Sequence, residues 1–82
     1  ALRGLGFIHL RNQNFDEAVS VYKMSTSSEP KNADGWAGLG QAYLGQRNLD
    51  DAEAAFRKAQ AIDPNNATLK RGMETLNKAR GG

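Results

Sequence analysis

The sequence contains no cysteine and a single histidine, His9. Neither a disulfide framework nor a thiolate or histidine-cluster metal site can be assembled from it, and thiol chemistry points to no compartment. Charge of one sign is scarce as well: 11 basic against 9 acidic residues leave a formal +2. So weak a field argues against nucleic acid as a partner. No apolar run approaches the ~20 residues that span a bilayer, so membrane insertion is not expected, and the first residues lack the pattern of a secretory signal. Proline occurs only at positions 30 and 64. What remains is ordinary globular material, 39% hydrophobic and 24% charged over 82 residues, enough for one small domain. A chain of this size carries about 4–12 kcal/mol of stability.

The chain repeats itself. A shift of 34 residues superposes Gly4 on Gly38, Leu5 on Leu39, Gly6 on Gly40, Leu10 on Leu44, Asn14 on Asn48, Asp16 on Asp50, Ala18 on Ala52, Pro30 on Pro64 and Asn32 on Asn66. Tyr22 meets Phe56 and Lys23 meets Arg57 in the same register. Matches spread without a gap over the whole period indicate a stacked supersecondary unit.

Each unit reads as two helices. Trp36, Leu39, Gly40 and Tyr43 recur at i, i+3, i+4 and i+7, the stripe of an amphipathic helix over about Asp34–Gln46. After a turn at 46–49, Asp50 is expected to cap a second helix with Glu53 three residues on. Its apolar face is Ala52, Ala55, Phe56, Ala59 and Ile62, and Pro64 stops it. The first unit follows the same plan: Leu2, Leu5, Gly6 and His9, a turn at 12–14, Asp16 as cap, then Ala18, Val21, Tyr22 and the stop at Pro30. Its last turn, rich in serine from Ser25 to Ser28, is expected to bury little and to fray.

Beyond Pro64, Asn65 or Asn66 is expected to cap a fifth helix to about Ala79, with a narrow apolar seam of Leu69, Met73 and Leu76. Lys70, Glu74 and Asn77 replace Trp36, Gly40 and Tyr43 there, so this helix reads as a closing cap. The expected divisions are 1–32, 33–66, 67–80 and a disordered pair at 81–82. Because Ala1 and Leu2 already lie inside a helical pattern, further repeats are expected to precede them in a parent chain.

The string Trp36, Leu39, Gly40, Tyr43, Ala52, Phe56, Ala59 and Pro64 resembles the tetratricopeptide repeat, whose signature has these residue types at these intervals. The first unit matches at Leu5, Gly6, Ala18, Tyr22 and Pro30 and departs at Leu2, His9 and Ser25. The resemblance covers about residues 1–66. It implies an all-α fold, a right-handed solenoid of two antiparallel helix pairs closed by a capping helix. The core would comprise Leu5, Gly6, Ala18, Tyr22, Trp36, Leu39, Gly40, Tyr43, Ala52, Phe56, Ala59 and Pro64. From the residues alone, the glycines and alanines allow close helix approach, while the aromatics fill the space between.

Nothing points to catalysis. The Gly4-x-Gly6 and Gly38-x-Gly40 pairs follow no strand and lack the third glycine or lysine of a phosphate loop. His9 has no partner with which to bind metal or act as a base, and the acidic pairs Asp16–Glu17 and Asp50–Asp51 suit helix N-termini. No cofactor is implied.

The resemblance instead implies a protein-interaction module whose first helices line a concave groove. On that face stand Arg3, Phe7, Leu10 and Arg11, then Asp34, Ala37, Gln41 and Leu44, then Thr68, Arg71, Thr75 and Lys78. Phe7 and Leu10 among four basic residues suit a protein or peptide that joins an apolar anchor to acidic groups. The chaperone-tail clamp of some family members would need lysines and asparagines where this chain has Arg3, Phe7, Gly38, Thr68 and Gly72, and only Arg3 could serve. The alternative function is a structural spacer or self-stacking segment, with Leu2, Leu5 and Ile8 open for self-association. RNA binding by related helical repeats would require a stronger basic field.

Overall fold

A computed structural model describes residue 12 and residues 14–81. Four helices follow one another: α1 (Phe15–Ser28), α2 (Ala33–Gly45), α3 (Leu49–Ile62) and α4 (Ala67–Ala79). No strand occurs among the described residues, so the class is all-α. The expected first helix, with Leu2, Leu5, Gly6 and His9, lies outside them, as does Gly82.

Composition explains the placement of α2. Ala33, Gly35, Ala37, Gly38, Leu39, Gly40 and Ala42 are buried around most of its circumference, whereas α3 buries only Ala52, Ala55, Phe56 and Ala59. A helix apolar on several sides belongs in the centre. Accordingly α2 packs on α1, α3 and α4, α3 also meets α4, and α1 touches α2 alone among the described helices. Two apolar clusters result. Ala18, Val19 and Tyr22 join Leu39, Ala42 and Ala55; Ala37 joins Ala52, Phe56, Ala59, Leu69 and Leu76. Trp36 and Tyr43, half-buried, pack against both.

Glycine decides how closely these helices approach. Phe56 is fully buried, which stabilises by about 1.5–3 kcal/mol, and its ring lies against both Gly40 and Gly72. A β-carbon at Gly40 would come within 2.5 Å of the ring, and one at Gly72 would also overlap it. Tyr22 occupies Gly38 in the same way, 34 residues earlier. The contact therefore repeats with the sequence period.

Several expectations are corrected. Asp16 and Asp50 are not caps: Asn14 and Asn48 hold the N-cap positions, and the two aspartates are in the first helical turns. Their negative charge still complements the helix N-termini. The serine-rich end buries more than expected. Ser25 is only 1% exposed and Thr26 is buried, because Gly35 on α2 leaves room for them, and α1 runs to Ser28. Ile62 is 39% exposed and Pro64 is exposed, so neither is core; Pro64 follows the end of α3, where its preceding residue Asp63 is extended.

Gly81, with φ at +79°, follows the end of α4 and donates to the carbonyl of Lys78. Arg47 occupies the equivalent place after α2 with φ at +66°, its N–H on Leu44 and that of Asn48 on Tyr43. Those two bonds are a Schellman closure, in which glycine is the usual left-handed residue.

Candidate functional site

Positions 34, 37, 41 and 44 on α2 and 68, 71, 75 and 78 on α4 follow the same 3–4 spacing, so each set shares one helix face. The two helices are neighbours. Arg71, Thr75 and Lys78 are exposed, while Gln41, Leu44 and Thr68 are half-buried. Arg71 and Lys78 stand two turns apart, about 10 Å. Neither pairs with a carboxylate among the described residues. Thr75 donates its hydroxyl hydrogen to the Arg71 carbonyl and adds no charge.

Ala37 is a correction. It is 0% exposed, covered by α4 through the cluster that contains Leu69 and Leu76, and cannot reach a ligand. Leu44 also packs on that cluster and offers only part of its side chain. Arg3, Phe7, Leu10 and Arg11 lie outside the described residues.

Asp34 has a structural role at the edge of this face. Its carboxylate accepts a 2.6 Å hydrogen bond from the Asn66 amide, whose oxygen in turn caps Leu69 N–H. Asn32, one repeat earlier, accepts from Asp34 N–H. The first turn of α2, through Asp34, is thus tied to Asn66, the residue that caps α4. Burial, and next the charge of Asp34, push the Tyr22 phenol above its ordinary pKa of 10.0.

A polar contact that sequence reasoning missed lies at the opposite helix ends. Gln46 Nε2 donates to Asp16 Oδ1 at 2.6 Å, and Arg80 donates to Asp50 Oδ1 at 3.0 Å. These pairs are related by the 34-residue shift, which already superposes Asp16 on Asp50 and could have drawn attention to Gln46 and Arg80. Arg80 also approaches Glu53, at 3.4 Å. Among the described residues there is no His, Cys, Asp and Glu cluster able to hold a metal ion, and no helix is long and apolar enough to cross a membrane.

Compared with known protein families, the chain matches the tetratricopeptide repeat over residues 1–67. It belongs to that family. No curated protein matches it. Tetratricopeptide repeat domains generally act as protein–protein interaction modules and are typically non-catalytic. The matched span takes in α1, α2 and α3, whereas most of α4 lies beyond it.

Proposed function

We propose that the common face of α2 and α4 belongs to the concave groove of a right-handed repeat solenoid and binds a protein or peptide carrying acidic groups beside an apolar anchor. In this reading residues 1–32 and 33–66 are the two repeat units, 67–80 close the stack, and Arg3, Phe7, Leu10 and Arg11 continue the groove. The supporting observation is the pair Arg71 and Lys78, exposed and without a carboxylate partner among the described residues, on a helix that neighbours the one carrying the half-buried Gln41 and Leu44. Arginine offers a fork that a carboxylate can meet with two hydrogen bonds, and lysine adds a point charge.

The test is affinity for an acidic peptide selected from a library, measured on the protein and on Arg71→Glu and Lys78→Glu. Both sites are exposed, so the variants keep the fold. Binding weakened at least tenfold by each reversal supports the groove; unchanged affinity in both would leave the spacer role as the better account.

A further inference from the structure

A second surface lies away from the groove, between α2 and α3. A cleft of about 170 Å³ has Trp36, Leu39 and Tyr43 of α2 on one side and the small residues Ala54 and Ala55 of α3 on the other. The residues that form it differ between the two units. One period earlier Ala55 corresponds to Val21, and Trp36 and Tyr43 correspond to Leu2 and His9. The second unit therefore combines larger aromatics with a smaller opposing side chain. The cleft opens to the surface, and its volume is of the order of one inserted side chain.

The ends of the cleft carry opposite charge. Lys58 Nζ stands over the Trp36 ring, 5.1 Å from its centroid, and neither Lys58 nor Asp51 forms an ion pair among the described residues. Asp51 and Lys58 are seven residues apart on α3, two turns on one face, or about 10 Å. A partner helix whose apolar residue has an acid one turn away on one side and a base one turn away on the other would satisfy both charges at once.

We infer that this cleft is a docking site for a short amphipathic helix that inserts a single leucine-sized anchor beside Trp36 and Tyr43, its acid facing Lys58 and its base facing Asp51. The site is independent of the α2–α4 groove, since the side chains that line it project from different faces.

Trp36 is the only tryptophan of the chain and reports on the cleft directly. The probe is a blocked alanine-rich helical peptide with one leucine, a glutamate one turn before it and a lysine one turn after it. Titration is expected to shift Trp36 emission to the blue and to move the amide signals of Tyr43 and Ala54. Replacing the peptide's leucine by alanine, or filling the cleft with Ala54→Leu, should abolish the response. Lys58→Glu should weaken binding at least tenfold, and a peptide with lysine in place of the glutamate should recover it on that variant. An unchanged Trp36 spectrum overturns the inference. So does a response that survives Lys58→Glu, or one that appears at Gln41 and Arg71 instead, which would place the peptide in the groove.

Discussion

Gln46 reaches back across the helix interface to Asp16, and 34 residues later Arg80 reaches back to Asp50 by the same path. In each pair the donor follows the end of one helix and the acceptor, 30 residues earlier, lies in the first turn of another. The geometry is shared but the chemistry is not, because Gln46 is neutral and Arg80 charged. Screening should separate them. We expect the fall in melting temperature caused by Arg80→Ala to shrink as sodium chloride is raised, and the fall caused by Gln46→Ala to stay constant. Equal salt dependence of the two would contradict the paired reading.

The contact of Phe56 with Gly40 and Gly72 makes a stronger prediction. Replacing a helical glycine by alanine ordinarily gains up to about 1 kcal/mol of propensity. Here the added carbon overlaps the ring, and overpacking costs about 1–3 kcal/mol. Gly72→Ala should therefore lower the melting temperature. Gly40→Leu should unfold a chain with only about 4–12 kcal/mol in hand. Ala61→Ser, at an exposed position, should leave it unchanged. Shortening the ring with Phe56→Leu should restore part of what Gly72→Ala loses. Thermal melts of these four variants and the double variant decide the matter.

Ser25 is fully buried and its hydroxyl has no hydrogen-bond partner among the described residues, a burden of about 1–3 kcal/mol. The next repeat has Ala59 at this position, also buried. Ser25→Ala should stabilise the fold by about 1 kcal/mol in urea titration; a loss of stability would show that the hydroxyl is satisfied in solution.

Arg47 holds a left-handed backbone that costs a residue with a β-carbon about 1–2 kcal/mol. Gly81 serves without that cost one period later. Part of the gain from Arg47→Gly is offset by the freedom glycine has when unfolded. A net rise of up to about 1 kcal/mol is expected in the same titration.

The Tyr22 phenol is neutral and buried, and its folded pKa lies above the unfolded value of 10.0. The sign follows from linkage: the unfolded chain releases this proton more readily, so the contribution is complete below pH 10.0 and is lost as pH rises through the higher folded value. Stability followed by circular dichroism should fall above pH 10 in the protein, and less steeply in Tyr22→Phe.

The helices and most of the core were legible because they depend on periodicity. Trp36, Leu39, Tyr43, Ala52 and Phe56 stand at helical spacing, and the 34-residue shift repeats the plan. What escaped depends on the partner across an interface. Ala37 looks like a groove residue until α4 covers it, and Ser25 looks solvated until Gly35 makes room. Gly72, considered only as a clamp position, is where α4 admits Phe56. Asp16 and Asp50 resemble caps by composition, yet their side chains serve Gln46 and Arg80.

The most direct test of the functional reading is an amide-shift titration of the protein with a library of acidic peptides carrying one apolar residue. The account predicts that Gln41, Arg71 and Lys78 respond together, along α2 and α4. Shifts confined to Lys23 and Arg57, on α1 and α3, would contradict it.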